Sequence, residues 1–393
     1  MQLRSGTPSR VTRFKRSNKR AARGISLSPG GGDSEMSSRI RSLPAHELNA
    51  DHVQTWLQTL EECDLLETPH LRPEFTQALG AVRPDIKVAM VEEAGEVAAL
   101  LPYRRMPWGG GRPAAGSLAN VQAIIARANY EVDTLGLVRA CGLRNWQFDR
   151  LLSPPKSVLP YVWRSWDSPY ADLSQGYEGY CRKMRMDRKR LSEFGRLQRK
   201  MAREIGDVRF EPHVASDAVL KSLMEWKSAQ YKRTRQYDIF SAQWVRNLLS
   251  SLLQYQERSF SSLLSALYAG NRLVAISFGL RSGSNMHGWF TAFDRTLSAY
   301  SPGSQLLLEL FRAAESIGIR RIDLGTGPEE YKRRFMTDAA QVYEGAIDTS
   351  ALVSGVRRQW WQVKNWVRSS CLAGATRTSL APLRGVQSWL EMR

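Results

Sequence analysis

The stretch "YSPGSQLLLELFRAAESIGIRRIDLGTGPEEYKRRF", residues 300–335, decides the fold. Its first half predicts a helix, because Ser301 is a favourable N-cap and Pro302 suits the first helical position. Leucine, phenylalanine and alanine then recur at helical spacing until Gly318 ends the segment. The helix is followed at once by an apolar run of a different kind.

That run, "IRRIDLG" at residues 319–325, predicts a buried strand that glycine and proline bring to an end. The charged segment "PEEYKRRF", residues 328–335, then predicts a short helix. A charged loop at the carboxyl end of a sheet strand is where open α/β folds keep their ligand sites. We therefore expect a functional site here.

The flanking sequence supplies the rest of a sheet. Residues 260–294 contain three apolar runs separated by "AGN" and "SGSN", the pattern of an antiparallel meander. Amphipathic helices are predicted before it, and a last strand is predicted at residues 341–348. Antiparallel strands, a helical crossover and a parallel strand together predict a mixed α/β (α+β) sheet.

The first half of the chain repeats this order in outline. Two helical segments precede a hairpin at residues 86–105, a helix is predicted over 120–141 and a strand over 145–152. The repeat predicts tandem units, each a mixed, mostly antiparallel sheet flanked by helices. We place the N-terminal unit at 41–175, a basic helical connector at 176–204, the C-terminal unit at 205–350 and a basic tail at 351–393.

Composition narrows the class of protein. With 393 residues and 42% apolar content the chain can bury roughly two cores, and no apolar run reaches the ~20 residues of a membrane span, so we expect a cytoplasmic protein. The net charge of +18 lies largely in residues 1–40, which we expect to be disordered, in the connector and in the tail. No nucleic-acid-binding motif accompanies this charge, which argues against nucleic acid as a partner. The four cysteines lack the spacing of a zinc site, so no metal is predicted.

The tail includes "VRRQWWQVKNWVRSSCL", residues 356–372, with Val356, Trp360, Val363 and Trp366 on one helical face and basic residues around it. A basic, tryptophan-rich amphipathic helix is typical of an anchor on a membrane surface. The same face could instead pack on the protein, and the sequence slightly favours packing.

Four residues are candidates for catalysis. His287 lies on a predicted strand, where alternation places it on one face with Trp289, Thr291 and Phe293, and it can act as a base near neutral pH. Asp323, at the end of the next strand, could also remove a proton. Beyond it, Tyr331 could donate a proton to a leaving group and Lys332 could meet an anionic group. The alternative for His287 is a structural role as a core histidine. The alternative for Tyr331 and Lys332 is a place in a solvated turn.

The start of the helix at Ser301 is a candidate anion site. The residues concerned are Ser301, Pro302, Gly303, Ser304 and Gln305, and the amides of the last three could hold a phosphate or pyrophosphate. An ordinary well-capped core helix is an equally good interpretation of the same residues.

Two motifs together resemble the CelD/BcsL-type acyltransferases, a GNAT-related family associated with bacterial cellulose and exopolysaccharide biosynthesis. They are SPG opening a helix at 301–303 and D-L-G-x-G-x-x-x-Y-K-x-x-F at 323–335. The resemblance runs from about residue 48 to 350. It implies two GNAT-like units in tandem, with the second binding acyl-CoA. Its polysaccharide context implies that any membrane contact of the tail would be peripheral, at the inner membrane. "YSPGSQ" stands where GNAT enzymes carry the Gln/Arg-x-x-Gly-x-Gly/Ala pyrophosphate loop.

The resemblance implies transfer of an acyl group, acetyl first among them, from acetyl-CoA (acyl-CoA) to an amine or hydroxyl of a small-molecule or saccharide acceptor. Two alternatives stay open. One is aminoacyl transfer from charged tRNA, as in the peptidoglycan-bridge transferases, and the other is a non-catalytic GNAT-like scaffold in a polysaccharide-synthesis complex.

Overall fold

A computed structural model of the protein describes residues 39–63, 67–185, 188–326 and 330–369. The predicted disordered segment 1–40 lies outside these ranges except for its last two residues, which begin the first strand.

The described chain forms strands and helices in alternating groups. The strands are β1 (Arg39–Pro44), β2 (Ile86–Glu93), β3 (Glu96–Arg105), β4 (Gly110–Pro113), β5 (Ile125–Ala126), β6 (Asn145–Leu152), β7 (Val162–Asp172), β8 (Val208–Glu211), β9 (Phe260–Ala269), β10 (Arg272–Ser282), β11 (Asn285–Phe293), β12 (Arg321–Asp323) and β13 (Asp338–Asp348). The helices are α1 (Ala50–Glu61), α2 (Pro73–Val82), α3 (Thr134–Ala140), α4 (Gly176–Lys183), α5 (Arg188–Glu204), α6 (Asp217–Arg233), α7 (Gln243–Leu252), α8 (Pro302–Ala313), α9 (Glu330–Phe335) and α10 (Ala351–Ser369). The predicted hairpin, meander and crossover helix are all present.

The strands pair into one sheet whose two ends are built alike. The order is β1-β2-β3-β4-β6-β13-β7-β12-β11-β10-β9-β8, and β5 pairs with β3 outside this path. Two pairs are parallel, β4 with β6 and β11 with β12, and the other ladders between named strands are antiparallel. The prediction of a mixed, mostly antiparallel sheet with an internal repeat is confirmed.

The centre of the sheet is built by an exchange of strands. β13, the last strand of the second half, lies between β6 and β7 of the first half. In return β7 pairs with β12, where Asp323 is opposite Tyr170. Each half therefore completes the sheet of the other, and the predicted boundaries at 175 and 205 describe the order of elements along the chain.

The largest apolar cluster also joins the two halves. It includes Trp56 and Phe75 from the helices of the first half and Leu248 and Phe290 from the second. The indole nitrogen of Trp56 donates to the Leu71 carbonyl at 3.0 Å, so this fully buried ring carries no unpaired donor. The common core fixes one half against the other.

The helix predicted over 120–141 is mostly wrong. Only α3 is helical, capped by Asp133, whose side chain accepts from the Gly136 amide. Upstream, the Gln122 amide donates to the Arg150 carbonyl at 3.0 Å and the Gln122 carbonyl accepts from the Leu152 amide at 2.7 Å. This pairing with β6 holds the chain extended, so tertiary structure overrides the helical spacing of the apolar residues.

The basic connector folds as the helices α4 and α5, which pack on the second half. On α5, Met201 is fully buried and Phe194 lies 6.1 Å from Phe335 between ring centroids. These two residues belong to the apolar stripe that the sequence predicts for the connector. The side chain of Leu191, a further member of that stripe, lies outside the described residues.

The C-terminal helix α10 packs through a face other than the predicted apolar one. Its Arg357 pairs with the buried carboxylate of Asp348 at 3.1 Å, and the ring of Trp361 lies 5.7 Å from that of Trp163. None of the helices within the described ranges is long and apolar enough to span a bilayer.

Candidate functional site

The candidate site lies where β11 and β12 separate. The two strands pair in parallel for three residues, and the last pair is His287 with Asp323. β12 ends there, whereas β11 continues for six more residues to Phe293. The structure therefore brings two predicted catalytic residues together on neighbouring strands, at the edge of a gap in the ladder.

A β-bulge interrupts β11 directly after His287. Phe278 of β10 is opposite Phe290, but the next pair is Gly279 with Gly288, so Trp289 is the extra residue. Its ring stacks on that of Phe290 with 5.0 Å between centroids. The predicted strict alternation along this strand is wrong, because a bulge puts consecutive side chains on one side.

His287 is fully buried between the halves. Its Nε2 lies 2.8 Å from the Asn120 amide nitrogen, and its ring meets that of His70 at 4.7 Å between centroids. Burial holds the pKa of His287 well below its ordinary value, helped by His70, Lys332 and Arg150. The imidazole is therefore neutral, and with Asn120 donating to Nε2 its proton lies on Nδ1.

His70 is a site residue that the sequence analysis did not single out. It is buried, and neither ring nitrogen has a hydrogen-bond partner among the described residues. Burial, with a contribution from Arg150, lowers its pKa from 6.5 to about 3. Its segment "TPHLRPEF" carries no periodic signal for a site, and only the contact with β11 reveals it.

Asp323 is buried beside one cation. Arg321 donates to its Oδ1 at 2.9 Å, and the guanidinium lies 3.5 Å from the centre of the Tyr170 ring. Burial raises the pKa of Asp323, and the ion pair with Arg321 opposes this only in part. The carboxylate is therefore a better proton acceptor than an ordinary aspartate.

The loop after β12 is held against the first half of the chain. Lys332 donates to the Thr326 carbonyl at 3.0 Å, and Arg150 of β6 donates to the Thr326 hydroxyl at 2.8 Å. Gly325 has φ +73°, and a side chain there would come within 3.2 Å of the Asn120 amide nitrogen. Lys332 thus lies against the loop that follows Asp323, whereas the side chain of Tyr331 lies outside the described residues.

The start of α8 differs in detail from the prediction. Ser301 occupies the N-cap position in the left-handed region, with φ +51°, and its side chain makes no capping hydrogen bond. The amides of Ser304 and Gln305 both donate to the Ser301 carbonyl at 3.1 Å. Of the three predicted anion-binding amides, that of Gly303 is left without a partner in the described chain. A Cβ atom added at Gly303 would lie 3.4 Å from the ring of Phe293, so a methyl group fits there and a larger side chain is crowded.

The predicted residues form two groups at opposite ends of β11. His287, Asp323 and Lys332 lie near its start, and residues 301–305 follow its end. The six residue steps from His287 to Phe293 separate the groups by roughly 20 Å along the strand. An extended ligand arm lying along the unpaired part of β11 could contact both.

Comparison with known proteins agrees with this architecture. Residues 188–333 match the family model described as an acetyltransferase (GNAT) domain. No curated protein sequence matches the chain. The match covers α5 to α9, which includes both groups of site residues.

Solved structures resemble the chain over most of its length. FemX is 9% identical, covers 79% of this chain and 97% of its own, and gives a TM-score of 0.53. The C-terminal domain of a putative lysylphosphatidylglycerol synthetase from Agrobacterium fabrum is 12% identical, covering 81% and 96%, with a TM-score of 0.49. A tandem GNAT protein from the clavulanic acid biosynthesis pathway is 12% identical, covering 80% and 99%, with a TM-score of 0.45. The FemX-like fold and the family match over residues 188–333 agree with the predicted fold class, a mixed, mostly antiparallel sheet flanked by helices.

Proposed function

We propose that the protein is an acyl-CoA-dependent acyltransferase that acetylates an amine or hydroxyl acceptor in the cytoplasm. The observation that carries this is the gap between β11 and β12, with a bulge in β11 and the pair His287 and Asp323 at its edge. The GNAT match over residues 188–333 supports the same reaction class, since GNAT domains generally use acetyl-CoA.

The start of α8 fits an acyl-CoA phosphate. The amide of Gly303 has no partner in the described chain, and the positive end of a 12-residue helix favours an anion there. Residues 301–305 would hold the pyrophosphate. Acetyl-CoA would supply the activated acyl group as a thioester.

Asp323 is the proposed base. It would take the proton of the acceptor as the acceptor nitrogen or oxygen bonds to the acyl carbon and the thiol of CoA leaves. His287 suits this role less well, because Asn120 occupies its Nε2. The neutral imidazole of His287 instead accepts a hydrogen bond from the Asn120 side chain. Lys332 would balance the negative charge of the bound acyl-CoA. Tyr331 is the proposed acid that protonates the departing thiolate.

The resemblance of the motifs at 301–303 and 323–335 to the CelD/BcsL-type enzymes supports a role in bacterial cellulose or exopolysaccharide biosynthesis. A saccharide is then the favoured acceptor. Titration of acetyl-CoA into the protein by calorimetry tests the reaction class. Absence of heat at millimolar ligand would reject it, and salt-sensitive tRNA binding in its place would support the aminoacyl-tRNA alternative.

Replacing Gly303 by proline should weaken acetyl-CoA binding by about tenfold. Proline removes the Gly303 amide, which has no partner in the described chain and would donate to the phosphate. Calorimetry measures the change. The matched variant Gly303→Ala keeps the amide and, like proline, adds a Cβ atom beside Phe293. Its affinity for acetyl-CoA should therefore stay within about twofold of the parent value. Equal losses in both variants would remove residues 301–305 from the phosphate site.

A further inference from the structure

The helix α10 has an apolar face that no described residue covers. The face is formed by Leu352, Val356, Trp360 and Val363, which follow one another at spacings of four, four and three and so form one stripe. We call these four residues the apolar stripe. Their exposed fractions are 84%, 69%, 69% and 53%. An apolar stripe on a surface helix is normally covered by the protein core, by another protein or by a membrane.

The other face of α10 is already used. Arg357 pairs with Asp348, and Trp361 contacts Trp163 and donates to the Glu344 carboxylate at 3.4 Å. At about 100° per residue, Trp361 lies on the far side of the helix axis from Leu352 and Val363, and Arg357 lies on the flank between the two faces. The helix is therefore fixed to the sheet in an orientation that points the stripe away from it.

The net charge of the C-terminal segment favours one partner for the stripe. Residues 351–393 contain seven arginines and lysines and one glutamate, which gives a net charge of 7 − 1 = +6. Arg358 is exposed on α10 itself. Tryptophan and aliphatic side chains on one face of a helix, in a segment whose sequence has an excess of cations, match the interface of a bilayer that contains acidic phospholipid.

We infer that the apolar stripe of α10 docks the protein on a membrane surface rich in acidic phospholipid, with the helix lying in the plane of the interface. The stripe enters the boundary between headgroups and acyl chains, while the positive net charge of residues 351–393 attracts the acidic headgroups. This inference goes beyond the proposed acyl transfer and does not depend on it.

Sedimentation with vesicles tests the inference on the full chain. The protein should sediment with vesicles of phosphatidylcholine mixed with phosphatidylglycerol, and far less with phosphatidylcholine alone. Trp360→Glu should reduce the bound fraction at least about tenfold, because it removes the central aromatic group and adds a charge that acidic lipid repels. Gln362→Glu adds the same charge at an exposed position off the stripe and should change binding by less than about twofold.

Three results would overturn the inference. They are no binding to either vesicle, equal binding to both vesicles, and equal binding by Trp360→Glu and the parent. Sedimentation velocity without lipid gives a fourth: a dimer that Trp360→Glu dissociates would assign the stripe to a second copy of the chain. Acetyl-CoA affinity, measured on the same variant, should be unchanged, so failure of docking and failure of the proposed enzyme function are distinguishable.

Discussion

Asp323→Asn should lower kcat by about 10²- to 10⁴-fold, the usual contribution of a general base, while acetyl-CoA affinity stays the same. The amide keeps the shape of the side chain beside Arg321 but cannot take a proton. In the parent enzyme kcat should fall as the pH drops through the raised pKa of Asp323, because the base must be ionised. Thiol release from acetyl-CoA, with an acceptor that supports turnover, measures both effects.

Asp348→Asn is the matched control for this variant. Asp348 is also a buried aspartate, also paired with an arginine, and burial also raises its pKa. Asp338, at the start of β13, is paired with Tyr170, which is in turn paired with Asp323. Asp348 is at the opposite end of β13 and so lies away from the candidate site. Loss of turnover in both variants would indicate structural damage, and full turnover in Asp323→Asn would remove Asp323 as the base.

Acidification from about pH 7.5 to about pH 5 should reduce the free energy of unfolding by about 2 kcal/mol through His70 alone. The folded protein keeps this imidazole neutral down to a pKa of about 3, whereas the unfolded chain takes up a proton near 6.5. The stabilisation that comes from neutral His70 is therefore present above the pKa of His70 in the unfolded chain, and it is lost as the pH falls below that value. His287, whose pKa is also lowered, adds a loss of the same sign.

Urea unfolding of His70→Phe at the two pH values checks this result. Phenylalanine suits the ring contacts with Phe75 and Trp289 and does not titrate, so about 2 kcal/mol of the acid loss should disappear. An unchanged acid loss in His70→Phe would show that His70 is not held neutral by burial.

The exchange of β7 and β13 ties the site to the whole sheet. Asp323 has His287 on one side and Tyr170 of the exchanged strand on the other. His70, Asn120 and Arg150 come from the first half. They contact His287 and Thr326, which belong to the second half. Neither half contains the complete site, which is why the two units act as one enzyme in our proposal.

The sequence by itself determined most of the local structure. The helix that begins at Pro302, the meander of β9 to β11 and the strand ending at Asp323 all follow from caps, turns and apolar spacing, which depend on neighbours along the chain. The resemblance in two short motifs also led to the fold class. His287, Asp323 and Lys332 could be named because they stand at strand ends and loops, where ligand sites lie.

Only the tertiary structure decided the remaining features, because they depend on contacts between residues far apart in the chain. Pairing of Gln122 with β6 and of β5 with β3 holds this segment in an extended conformation, and the bulge at Trp289 changed which side chains share a face. The strand exchange and the burial of His70 against His287 leave no periodic pattern in the sequence. For the same reason the spacing of α10 showed its apolar stripe, but only the packing of Arg357 and Trp361 showed that the stripe faces outward.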